Sequence, residues 1–209
     1  MINNHNFNQS NITFKSQKLF PVAVKDMADG YVKGWITKLD PSDPEDSATM
    51  KKVGQEWRIS KYPGVVQGKI LNNEFNSGHD CFAVELDSFK KSLYDKLLCL
   101  SSTEIKDELY LSCLQAAPNS TFEAGTNRKY KGAGTALMYG ILNIALKTKD
   151  KICQFSNANK PFYKSLNIPN TNTDKDIPDY TIYDSSGMED FIQRKTEEWK
   201  PFLSNKEND

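Results

Sequence analysis

The spacing of apolar residues along the chain changes character near residue 80. Upstream, KLFPVAV (residues 18–24) has strand character, and Pro21 suits a sheet edge because it donates no ladder hydrogen bond. Met27, Tyr31, Val32, Trp35, Ile36 and Leu39 then recur at helical spacing. That predicts a helix, weakened at Gly30 and Gly34 by about 1 kcal/mol each relative to alanine. Residues 40–57 offer several N-caps, Pro44 for a first turn, and Val53 and Trp57 four apart, predicting another helix. Downstream, CFAVEL (81–86), KLLCL (96–100) and LYLSCLQAA (109–117) are separated by turn-rich stretches, as in an antiparallel meander. The last is apolar on both faces, so it reads as a central strand.

A helix is predicted from Thr135 to about Lys147, with Leu137, Ile141, Ile144 and Ala145 on one face and Met138 and Leu142 widening the stripe. A short strand (151–155), a short helix (161–165) and a strand (179–184) follow. The final helix opens on a Ser186-x-x-Glu189 capping box and buries Met188, Phe191, Ile192 and Trp199. This order predicts one α+β domain with a mixed, mostly antiparallel sheet flanked by helices. Its expected bounds are residues 16–200, between polar tails at 1–15 and 201–209.

Composition narrows the function classes. The 209 residues include 27 Lys plus Arg and 27 Asp plus Glu, for a formal net charge of zero. A surface built to coat nucleic acid or anionic lipid would be basic, so neither partner is expected. The longest apolar-rich stretch, residues 136–146, falls well short of the ~20 residues a bilayer span needs. The asparagine-rich start lacks the basic flank and apolar core of a secretory signal. Cys81, Cys99, Cys113 and Cys153 each lie in or beside an apolar run without C-x-x-C spacing, which suits buried thiols in a reducing compartment. A cytoplasmic protein is expected.

The chemistry concentrates in LYLSCLQAAPNSTFEAGTNRKYKGAGTALM (residues 109–138). A buried strand ends at Pro118, a loop carries Lys129, Lys131, Gly132 and Gly134, and a helix starts at once. Free N–H groups and a partial charge of ~0.5 at a helix N-terminus favour an anion. Glycines let it approach the backbone, and lysines add charge without strict direction. The pattern therefore points to phosphate or pyrophosphate. A P-loop needs G-x-x-x-x-G-K followed by Ser or Thr, and Gly132 is instead followed by Ala133. A dinucleotide fingerprint needs a third glycine where Leu137 stands and an early βαβ unit.

The remaining type of glycine loop is the one that binds acyl-coenzyme A. Leu114-Gln115-Ala116-Ala117-Pro118, then Lys129-Tyr130-Lys131-Gly132-Ala133-Gly134, then Phe162-Tyr163-Lys164-Ser165-Leu166-Asn167-Ile168 follow in order. In this, residues 109–168 resemble the core of the GCN5-related N-acetyltransferases, the GNAT superfamily. There a strand leads through an Arg/Gln-x-x-Gly-x-Gly/Ala loop into a long helix, then a strand and a short helix bearing a Phe/Leu-Tyr signature. The upstream meander is also a feature of the family. Departures are Lys129 in place of Arg or Gln, Asn167-Ile168 in place of Gly-Phe, and a longer loop, with Pro118 fourteen residues before Gly132.

The resemblance implies acetyl-CoA as acyl donor, lying in a V-shaped gap between the strand at 109–117 and the strand at 151–155. Backbone groups of Leu114, Gln115 and Ala116 would pair with the pantetheine as an added strand does. N–H groups from Lys129, Tyr130, Lys131, Gly132, Ala133, Gly134 and Thr135 would hold the pyrophosphate, and Asn159 and Phe162 would line the far wall. Tyr163 matches the family's general acid, and Glu108 stands where some members place a glutamate working through water. Tyr163 as a core aromatic and Glu108 as a solvated strand-end residue are the alternatives. Cys113 lies near the expected thioester. Trp35, Trp57, Tyr62 and the acidic segment 40–46 fall in the region that binds the acceptor in this family, a small-molecule or protein amine. A homodimer is compatible with this reading, and a non-catalytic acyl-CoA-binding module is the other function it allows.

Overall fold

The computed structural model describes residues 16–57, 79–87, 96–120, 128–156, 160–174, 176 and 179–204. The tail expected at 1–15 lies outside these residues, as does the chain beyond 204.

Among the described residues, eight strands form one sheet in the order β6-β1-β2-β3-β4-β5-β7-β8. They are β1 (Gln17–Asp26), β2 (Gly30–Leu39), β3 (Asp80–Leu86), β4 (Leu97–Ile105), β5 (Leu109–Ala116), β6 (Tyr130–Lys131), β7 (Cys153–Ser156) and β8 (Tyr180–Tyr183). Every pairing is antiparallel except β5 with β7, so the sheet is mixed. The helices among the described residues are α1 (Pro44–Glu56), α2 (Ala133–Ala145), α3 (Lys160–Ser165) and α4 (Ser185–Leu203). The α+β architecture is the one expected, and Pro21 does sit where β1 has an open side, because β6 meets only Lys25 and Asp26.

The helix expected over residues 27–39 is instead β2, the second arm of a hairpin with β1. Both glycines that weaken a helix there have uses in a strand. Gly30 adopts φ +84° at the hairpin turn, a region only glycine enters freely. At Gly34 a Cβ would lie 2.7 Å from the Glu85 carbonyl oxygen on β3. Ile36 faces the core and Leu39 the opposite side, both buried. The apparent helical spacing arose because both faces of this strand are covered.

Helix α1 is set by its cap: Asp43 accepts from the amides of Glu45 (2.7 Å) and Asp46 (3.3 Å), and Pro44 begins the first turn. It covers one face of the sheet, burying Met50, Val53 and Trp57 with Leu39, Cys81, Ala83, Leu97, Leu100 and Cys113. Helices α2 and α4 cover the other face with Leu137, Ile141, Met188, Phe191 and Trp199. α2 packs tightly enough that a Cβ on Gly140 would stand 2.6 Å from Ile36 Cγ1. The N-cap of α4 is Asp184, whose side chain accepts from Gly187 N at 2.9 Å. The capping box read at Ser186 is therefore displaced two residues, because Asp184 holds the extended backbone of a cap, and the helix continues through Pro201 to Leu203 rather than ending in a tail at 201.

Candidate acyl-coenzyme A site

β5 is registered against β4 from Leu109 to Ala116, but against β7 only from Leu109 to Leu111. At that level β5 carries an extra residue: Leu111 pairs with Thr103 and Cys113 with Ser102, leaving Ser112 as a bulge. A bulge bends its strand and raises the local twist. The two parallel strands therefore part beyond Leu111, and the half-buried Leu114, Gln115 and Ala116 lie in the parted half. The Gln115 side chain donates to the Ala116 carbonyl at 3.1 Å.

α2 starts beside this opening. Gly132 is its N-cap at φ +90°, a conformation that favours glycine. No side chain caps it, in contrast to Asp43 on α1 and Asp184 on α4. The first backbone bond of the helix is Ala136 N to Gly132 O, 2.8 Å, so the amides of Ala133, Gly134 and Thr135 precede any i−4 carbonyl. A Cβ on Gly132 would meet nothing within 4 Å. Gly134 differs: its Cβ would lie 3.2 Å from the Phe162 ring and 3.7 Å from Leu114 Cδ2. It is the point where α2, α3 and β5 converge.

The ends of the long loop meet. Lys129 N donates to Asn119 O (2.8 Å), and Met27 N donates to Lys129 O (2.9 Å). β6 then ties Tyr130 and Lys131 to Asp26 and Lys25 of β1. The consequences for the expected phosphate ligands are specific. The Lys129 amide is engaged within the protein, the Tyr130 side chain is fully buried, and Lys131 is exposed. The helix-start amides from Ala133 to Thr135 have neither an i−4 carbonyl nor a capping side chain.

Tyr163 on α3 packs on Phe155 of β7 (ring centroids 4.2 Å) and on Phe162 (5.0 Å). Its hydroxyl is held protonated well above the ordinary tyrosine range, first by burial and then by the neighbouring Cys113, Cys153, Tyr183 and Cys99. Residues of both parted strands, Phe155 and Cys113, thus surround it. Asn159 lies outside the described residues. Glu108 is not at the opening. It precedes Leu111 by three residues, or ~10 Å along an extended strand, and its carboxylate accepts from Gln154 on β7.

The acceptor-side residues separate as well. Trp57 is 1% exposed in the core under α1. Lys18 and Lys33 already stand over the Trp35 ring at 5.0 and 5.1 Å, and its indole N–H donates to Asp87 (2.7 Å). The acidic segment works locally: Asp43 caps α1, and buried Asp46 accepts from Asp40 N at 2.8 Å, with burial raising its carboxyl above the usual range. Tyr62 lies outside the described residues.

All four cysteines are buried. Burial pushes Cys99 and Cys153 far up, so the folded chain keeps these protons while the unfolded chain releases its thiol protons near pH ~8.5. The resulting stability is complete below that pH and is lost as pH rises. The expected decline is about 1.4 kcal/mol per pH unit for each fully buried thiol. Urea midpoints measured from neutral to about pH 10 check this, and a flat profile would contradict it.

No protein-family model matches the sequence, and no curated protein matches it. Among solved structures, the chain is similar to a crystal structure of AtaTR bound with AcCoA, at 10% identity, covering 74% of this chain and 94% of that one, with a TM-score of 0.45. It is similar to the PaiA N-acetyltransferase from Thermoplasma acidophilum in complex with coenzyme A, at 19% identity, covering 70% and 94%, TM-score 0.44. A mutant AtaT toxin bound to the C-terminus of the antitoxin AtaR matches at 11%, covering 59% and 77%, TM-score 0.40. The site itself rests on this chain's own residues. It consists of a meander leading into a parallel pair that parts, with a glycine-started helix beside the parting.

Proposed function

We propose that the protein is an acetyl-CoA-dependent N-acetyltransferase acting on an amine. Three features carry this reading together: the parting of β5 from β7 beyond Leu111, the uncapped start of α2, and Tyr163 packed on Phe155 of β7. Pantetheine would lie in the parted half, using backbone groups between Leu114 and Ala116 in the manner of an added strand. The amides of Ala133, Gly134 and Thr135, with Lys131 nearby, would take the pyrophosphate, while Phe162 walls the cofactor's path.

In the reaction the neutral amine attacks the thioester carbonyl carbon. The C–N bond forms, the C–S bond breaks, and the Tyr163 hydroxyl gives its proton to the departing sulfur. The proton released by the amine passes to water, from which Tyr163 is reprotonated. A phenol held protonated by burial is in the required state throughout the neutral range. Glu108 is too far along β5 for direct proton transfer at the parting, so the acceptor enters as the free amine.

Thermal melting with acetyl-CoA, CoA and NAD in parallel tests the reading. A ligand at a hundred times its Kd stabilises by ~2.7 kcal/mol, which for a domain of this size moves the midpoint by roughly 5–11 °C. Acetyl-CoA and CoA are expected to shift it and NAD is not. No shift with any of the three would overturn the proposal.

A further inference from the structure

The sheet face turned away from α2 and α4 continues across the paired end of β5 onto β7 and β8. Burial alternates there: Leu109, Leu111, Cys153, Phe155, Thr181 and Tyr183 are covered, while Tyr110, Gln154, Tyr180 and Ile182 between them are half-buried. Register places these half-buried residues side by side, Tyr110 against Gln154 and Gln154 against Ile182. The Tyr110 and Tyr180 rings stack with centroids 6.2 Å apart, and their hydroxyls lie 3.3 Å from one another.

At the end of this face stands Glu108. Its carboxylate accepts from the neutral Gln154 amide, and among the described residues no cation lies within ion-pair distance of it. Lys106 pairs instead with Glu104 (2.5 Å) and Lys149 with Asp107 (3.8 Å). A half-buried carboxylate on the face that carries the stacked tyrosines, with no cation at ion-pair distance among the described residues, suits an ammonium group of a ligand.

This cation cannot be the amine that reacts, because the reacting nitrogen must be neutral and sit at the parting, ~10 Å along the strand from Glu108. We infer that the acceptor is a small amine with a second, positively charged group about 10 Å from the reacting nitrogen, held at Glu108 over Tyr110 and Tyr180. The inference rests on the acetyltransferase reading above and names the substrate class of that same site. The same face carries Glu104, registered opposite Tyr110 and ion-paired with Lys106, so Glu108 is the carboxylate there left to a ligand.

The test measures thiol release from acetyl-CoA with a series of α,ω-diamines of increasing chain length, each against the monoamine of matched length. The expected result is a kcat/KM at least ~10-fold higher for one range of diamine lengths than for the matched monoamines, since a charge-assisted contact is gained. Glu108→Gln is expected to collapse that ratio towards one, with the acetyl-CoA melting shift showing that the variant is folded and binds its donor. Monoamines used as well as diamines, or a Glu108→Gln ratio equal to that of the wild type, would overturn this inference alone. Absence of any acetyl-CoA shift in the wild-type protein would overturn the acetyltransferase reading and this inference with it.

Discussion

A Gly134→Asp variant is expected to lose the acetyl-CoA melting shift altogether while remaining folded. Two effects act together at this position. The new Cβ would stand 3.2 Å from the Phe162 ring, tighter than ordinary contact, so that ring, the wall of the proposed cofactor site, must move. The carboxylate would also sit in the first turn of α2, where negative charge is favourable to the helix. It would therefore compete for the amides meant for the pyrophosphate without weakening the helix. Isothermal titration with acetyl-CoA checks this, and wild-type affinity in the variant would remove the start of α2 as the phosphate site.

Tyr163→Phe is expected to separate chemistry from binding. The ring contacts with Phe155 and Phe162 remain, so the fold and the acetyl-CoA shift should be retained. The proton for the departing sulfur is lost, and turnover should fall by ~10²-fold or more. Steady-state thiol release at saturating acetyl-CoA checks it. An unchanged rate would make Tyr163 a packing aromatic behind the cofactor, the alternative its sequence context allowed.

The success of the sequence reading varied with how locally each feature is determined. The strands CFAVEL and LYLSCLQAA, helix α2 and the short helix with Phe162 and Tyr163 were legible because periodicity and turn residues alone specify them. β2 was misread as a helix. Its apolar residues face both sides of the sheet, and a strand covered on both faces loses the two-residue alternation that identifies it. The cap of α4 was misplaced for a smaller reason: Asp184 and Ser186 are both competent acceptors, and only the backbone conformation selects between them.

The chain's own order of residues determined the strand, loop, glycine-started helix and Phe-Tyr helix, and with them the type of site to look for. These follow from backbone preferences: Gly132 can adopt φ +90°, and a helix start leaves its amides free. The tertiary structure decided which residues meet there. It closed the long loop through the Asn119–Lys129 hydrogen bond, set Gly134 against Phe162 and Leu114, and engaged the Lys129 amide away from the opening. It also placed Glu108 at the paired end of β5 rather than at the parting. Such outcomes depend on strand register and on one inserted residue, Ser112. Register is a property of pairs of distant segments, which no single stretch of sequence carries.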